Sequence, residues 1–101
     1  MPASKIAVEN VIRPGKSRLV DARMYTAMRR AMLKSLPPTE PGITLAELRA
    51  RLLPALPETL YPGGAKAGWW LKTVQLDLEA KGLALRTRSS PLRLYRRSRS
   101  R

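Results

Sequence analysis

The change of hydrophobic period at Gly82 constrains the fold of this chain more than any other feature. Residues 65–81 contain no proline, and their apolar side chains recur at helical spacing. After Gly82, "LALRTR" alternates apolar and polar residues, "SSP" is typical of a turn, and "LRLYRR" alternates again. This pattern predicts a helix that ends at a left-handed glycine. It also predicts a β-hairpin whose apolar side carries Leu83, Leu85, Leu92 and Leu94, with the exact register of the strands left open.

Two further helices are predicted upstream of this unit. Asp21 is a suitable N-cap for the first helix, which must end before the proline-rich "PPTEPG". Thr44 and Glu47 have the spacing of a capping box at the start of the second helix, and Pro54 closes that helix. Three helices followed by a terminal hairpin predict an α+β, mainly α, fold of the winged helix-turn-helix class. Residues 21–96 form this domain, residues 1–20 an N-terminal arm packed on it, and residues 97–101 a basic disordered tail.

The third predicted helix has two apolar stripes. Its main stripe consists of Ala67, Trp70, Leu71, Val74 and Leu78. On nearly the opposite side lies a second stripe, consisting of Trp69, Leu76 and Ala80. An amphipathic surface helix needs one such stripe, so this helix is either covered on two sides or exposes a contact surface.

The charge of the chain predicts an anionic partner. The 101 residues carry a formal net charge of +13, and residues 83–101 contain seven arginines and no acidic residue. We therefore predict nucleic-acid binding, with duplex DNA favoured over RNA. The predicted contacts on the third helix are Lys66, Trp69, Lys72, Thr73 and Gln75. On the hairpin they are Arg86, Arg88 and Arg93, and in the tail Arg96, Arg97, Arg99 and Arg101.

An interaction with protein is the alternative. In that interpretation Trp69, Leu76 and Ala80 form a homodimer or partner interface, and the arginines serve solubility or bind an acidic protein. The sequence leaves both functions open.

Catalysis is not predicted. The chain has no Cys and no His, which removes thiol nucleophiles, imidazole bases and zinc sites together. The stretch "GGAKAG" lacks both the Ser or Thr and the preceding strand of a phosphate loop. We therefore expect a binding protein with no cofactor and no metal. The N-terminus has no apolar run typical of a signal peptide, and no stretch reaches transmembrane length, so we expect a cytoplasmic protein without membrane contact.

Four segments carry a family resemblance. They are "VENVIRPGKSRLVDARMYTAMRRAML", "PGITLAEL", "LYPGGAKAGWWLKTVQLDLEAKGL" and "PLRLYR". Together they resemble a family of short bacterial proteins of unknown function, over about residues 8–96, with Tyr61 at the aromatic position before "PGGAKAGWW". The resemblance implies a winged-helix-like, cytosolic domain and brings no catalytic residues and no ligand. The terminal "RSRSR" lies outside it.

Overall fold

The segment predicted as an N-terminal arm forms a β-hairpin. The structure is a computed structural model that describes residues 4–97. Strand β1 (Lys5–Glu9) pairs antiparallel with β2 (Ser17–Asp21), from the pair Lys5 and Asp21 to the pair Glu9 and Ser17. The predicted turn "RPGKS" lies in the connection between the strands and continues into β2. The predicted tail residues 98–101, with Arg99 and Arg101, lie outside the described part of the chain.

The first two helices begin at the predicted caps. Helix α1 (Ala22–Ser35) starts after Asp21, whose carboxylate accepts hydrogen bonds from the backbone N–H groups of Arg23 and Met24. Helix α2 (Leu45–Leu52) has the predicted capping box, because the Thr44 hydroxyl accepts from the Glu47 N–H and the Glu47 carboxylate accepts from the Thr44 N–H. These bonds satisfy amides that have no partner within the helix.

Helix α3 (Ala67–Ala80) follows a long connection. Residues 53–66 contain two short 3₁₀ turns, Leu53–Ala55 and Pro62–Gly64, so α2 and α3 are not joined by a tight turn. The helix starts two residues later than predicted, because Lys66 has a left-handed backbone with φ of 66°. At its end the Gly82 N–H donates to the Glu79 carbonyl and the Leu83 N–H to the Leu78 carbonyl. This is a Schellman motif, and the predicted role of Gly82 is confirmed.

The predicted C-terminal hairpin is part of a three-stranded antiparallel sheet. Its strands are β3 (Ile43–Thr44), β4 (Ala84–Arg86) and β5 (Arg93–Arg96), in the order β3-β5-β4. The prediction that Leu85 faces the core is wrong. The helix cap occupies residues 82 and 83, so the strand starts at Ala84, which is buried together with Leu94, whereas Leu85 lies opposite Tyr95 and is exposed.

The core lies between α1, α2, α3 and the two sheets. Its largest fully buried apolar side chains are Tyr61, Met28, Met32, Leu48, Leu52, Leu78, Leu94 and Val74. Trp70 is 6% exposed, which confirms its predicted place in the core. The predicted α+β class, with three helices and a C-terminal hairpin, is therefore confirmed. No helix within residues 4–97 is both long enough and apolar enough to cross a membrane.

Candidate nucleic-acid interface

The N-terminal hairpin packs on Leu76, one residue of the second apolar stripe of α3. The backbone N–H of Val11 donates to the Leu76 carbonyl at 3.3 Å, and the Leu76 side chain is 8% exposed. Gln75 beside it is fully buried. Helix α3 is therefore packed on a second side at Leu76, whereas Trp69 of the same stripe is exposed. Two predicted contacts are corrected, since Gln75 and Leu76 are both buried and neither presents its side chain to a partner.

A buried carboxylate holds the hairpin on the helix. Asp77 is fully buried and accepts three hydrogen bonds: from the Glu9 N–H at 2.8 Å, from the Tyr25 hydroxyl at 2.5 Å and from the Lys81 ammonium at 2.5 Å. Burial, followed by the hydrogen bond to Asp77, raises the pKa of the Tyr25 hydroxyl. We name this set the Asp77 cluster. The cluster joins β1, α1 and α3. It was not predicted from the sequence, although the acidic residue between Leu76 and Leu78 could have indicated a buried carboxylate.

The hairpin and α3 enclose a basic cleft of about 260 Å³. Its lining residues are Val8, Glu9, Asn10, Arg13, Lys16, Ser17, Arg18, Lys72, Thr73 and Leu76. Four of them are cationic and one is acidic. Val8 and Leu76 are buried apolar side chains, whereas Arg13, Lys16 and Lys72 are exposed. We call this site the hairpin–helix cleft.

The cleft unites predicted contacts with residues that sequence reasoning missed. Lys72 and Thr73 were predicted from α3, and both line it. Arg13, Lys16 and Arg18 were not predicted as contacts, because residues 1–20 were interpreted as a packed arm. The available signal was three basic residues within "RPGKSR", around a predicted turn.

Trp69 adjoins the cleft through Arg18. The indole is 48% exposed, and the Arg18 guanidinium carbon lies 5.5 Å from the ring centroid. This distance is typical of a cation–π contact. The Trp70 ring packs edge-on against Trp69, with 5.1 Å between centroids. Lys66 is exposed at the start of the helix, three residues before Trp69. An exposed aromatic surface and several cations therefore lie at the N-terminal half of α3.

Two of the predicted wing arginines are engaged within the fold. Arg86 makes two hydrogen bonds to the Glu79 carboxylate, at 2.5 and 2.9 Å. Hydrogen bonding to this carboxylate raises the pKa of the Arg86 guanidinium. The same carboxylate accepts from the Gln75 amide at 2.8 Å, which gives the buried Gln75 a structural role. Arg93 donates to the Gly42 carbonyl at 3.3 Å.

The other predicted arginines are placed differently. Arg88 and Arg97 are exposed, and Arg96 is half-buried in β5. None of the arginines of the C-terminal hairpin lines the hairpin–helix cleft. The structure thus separates the predicted contacts into the cleft side of α3 and the C-terminal hairpin. Within residues 4–97, no group of three or more acidic side chains is placed to hold a metal ion.

Comparison with known protein families gives one match. The sequence model of a family of unknown function, DUF6958, matches residues 5–94. The chain belongs to this family. The match includes both strands of the N-terminal hairpin and all of α3. No curated protein and no solved structure matches the chain.

Proposed function

We propose that this DUF6958 protein binds nucleic acid through the hairpin–helix cleft. The observation that carries the proposal is the convergence of Arg13, Lys16, Arg18 and Lys72 on one cleft in a chain of net charge +13. Lysine and arginine contacts to phosphate oxygens supply most of the sequence-independent affinity for nucleic acid. The Ser17 and Thr73 hydroxyls add neutral donors, which commonly bind phosphate.

The order of elements supports a winged-helix interpretation of the domain. Three helices are followed by the β4–β5 hairpin, and the short strand between α1 and α2 completes its sheet. In this interpretation α3 is the recognition helix and the C-terminal hairpin is the wing. The exposed Arg88 and Arg97 are its phosphate contacts, whereas Arg86 and Arg93 hold the wing in position.

Base reading from α3 is limited in this proposal. A recognition helix contacts base edges by entering the major groove with an exposed face. Here the N-terminal hairpin packs on Leu76, and Gln75 is also buried. The contacts are therefore mainly to phosphate, and we expect modest sequence specificity.

The homodimer alternative loses one of its three predicted contact residues. Of the predicted interface, Trp69 is exposed and Ala80 half-buried, but Leu76 lies under the hairpin. Of the three predicted interface residues, only Trp69 therefore exposes a large apolar side chain. Binding to a protein partner stays a prediction of the sequence.

The test compares two lysines on exposed helix positions. Lys72→Glu and Lys34→Glu change the net charge equally, but Lys34 lies on α1 and does not line the cleft. Fluorescence anisotropy with a labelled random-sequence duplex, over a salt series, should show a much larger loss of affinity for Lys72→Glu. Its plot of log affinity against log salt should also flatten by about 0.9 for each lost phosphate contact. Equal losses would place the interface elsewhere, and no binding of this duplex by the unaltered protein at low salt would refute binding to duplex DNA.

A further inference from the structure

We propose that the preferred ligand is single-stranded nucleic acid, with one unpaired base stacked on Trp69 and its neighbouring phosphates in the hairpin–helix cleft. This inference rests on the proposed function and specifies the ligand of the same site. Three observations carry it: the exposure of the Trp69 ring, the position of Arg18, and the cover over α3.

The Trp69 ring is a platform for a planar group. Nearly half of this large side chain is exposed, although the adjacent Trp70 is buried. Proteins that bind single strands without sequence preference combine a basic groove with an aromatic side chain, because every base has a π-face that can stack on it. Trp69 and the cleft have this combination of properties.

Arg18 connects the platform with the cleft. Its guanidinium lies against the Trp69 ring, and the same side chain lines the cleft. In the complex a base takes the position of the planar guanidinium over the ring, and the displaced Arg18 pairs with the phosphate of that nucleotide. Lys72 lies three residues beyond Trp69, hence about one turn along the same side of α3, and also lines the cleft. Stacking and phosphate contacts are therefore within reach of one nucleotide and its neighbours.

A duplex does not use this site fully. In a duplex the faces of the bases are stacked on each other, and the available readout is at base edges in the grooves. The part of α3 that would enter a groove is covered at Gln75 and Leu76. A single strand exposes both the faces of its bases and its phosphates, which are the two groups that Trp69 and the cleft can bind.

The experiment compares strands and tryptophan variants. Labelled oligo-dT, oligo-U and a duplex of equal length are titrated against the full chain, with anisotropy and intrinsic tryptophan fluorescence recorded together. The chain contains two tryptophans, and Trp70 is buried, so quenching reports on Trp69. We expect tighter binding of a single strand than of the duplex, accompanied by quenching. The oligo-dT and oligo-U titrations distinguish DNA from RNA as the source of that strand.

The variants Trp69→Ala and Trp69→Phe test the stacking contact directly. Trp69→Ala should weaken single-strand binding by about 5- to 150-fold, whereas Trp69→Phe should keep most of the affinity because it keeps an aromatic face. The salt dependence should stay the same in both variants, because the phosphate contacts remain. Circular dichroism confirms that each variant is folded.

Three outcomes separate this inference from the proposed function. Binding that Lys72→Glu weakens but Trp69→Ala does not would overturn the stacking proposal and leave the phosphate cleft in place. Duplex binding as tight as single-strand binding, without quenching, would overturn it as well. No binding of any of the three ligands at low salt would refute the nucleic-acid function itself.

Discussion

Removing the Asp77 carboxylate should destabilise the fold more than any other single polar change in the described chain. Asp77→Ala leaves the buried Tyr25 hydroxyl and the Glu9 N–H without their acceptor, and it leaves the Lys81 ammonium without its counter-ion. The Lys81 side chain is one-third exposed, so water can solvate that end of the cluster.

The expected magnitude follows from these partners. Each buried donor left without an acceptor costs about 1–3 kcal/mol. Removing one member of a buried ion pair typically costs about 3–5 kcal/mol. We therefore expect Asp77→Ala to lower the free energy of unfolding by about 3–5 kcal/mol, out of a total of about 5–15 kcal/mol for a domain of this size. Tyr25→Phe removes one hydrogen bond to the carboxylate and should cost about 1.5–3 kcal/mol.

Urea unfolding followed by circular dichroism measures this series. Asp21→Ala is the matched control, because it also removes an aspartate that accepts two backbone hydrogen bonds, but at an exposed helix cap. Loss of such a cap costs about 1 kcal/mol. The reasoning would be refuted if Asp77→Ala cost no more than Asp21→Ala. A double-mutant cycle between Asp77 and Tyr25 should also show a coupling energy above zero, since the two side chains are in contact.

Two further changes test the packing and the titration of the fold. Gly42→Ala should destabilise by about 3 kcal/mol in thermal unfolding, since φ is +76° and a Cβ would lie 2.4 Å from the Leu94 carbonyl oxygen. Gly68→Ala, which has open space and a helical backbone, should instead stabilise by about 0.5–1 kcal/mol, and equal effects would contradict the argument. Burial raises the pKa of Tyr25 and of Tyr61 above the ordinary value of 10.0. The contribution of these raised pKa values to the free energy of unfolding is complete below pH 10. As the pH rises further, it is lost by about 1.4 kcal/mol per pH unit for each tyrosine. Tyr25→Phe or Tyr61→Phe should each make this alkaline loss of stability less steep, and unchanged steepness in urea unfolding above pH 10 would contradict the raised pKa.

Features set by local interactions could be predicted from the sequence. The caps at Asp21 and Thr44 and the helix end at Gly82 involve bonds between residues at most five positions apart, and all three were predicted correctly. The face of β4 was predicted wrongly, because the hydrophobic alternation does not show at which residue the helix cap ends and the strand begins. Here the cap delays the strand, and Ala84 rather than Leu85 points inward.

The candidate site could be predicted only in part, for a different reason. Helical periodicity shows which side chains share a face, but not which element covers that face. Trp69 and Lys72 were therefore predicted as contacts, and Lys72 lines the cleft while Trp69 lies beside it. Gln75 was assigned to the same exposed surface but is buried. The contribution of Arg18 depends on a short hairpin docking onto a helix more than fifty positions away along the chain. No local pattern encodes that contact.

The bond between the Glu9 N–H and Asp77 has a consequence for the order in which the chain assembles. Its two ends are 68 positions apart in the sequence. During synthesis the N-terminal hairpin is made before α3, and the carboxylate on which it docks follows Glu9 by 68 residues. Contacts of such separation close large loops and form late in folding. We therefore expect the cleft to form late in folding, and a chain interrupted before α3 lacks one of the two elements that line it, whatever local structure its first half has already gained.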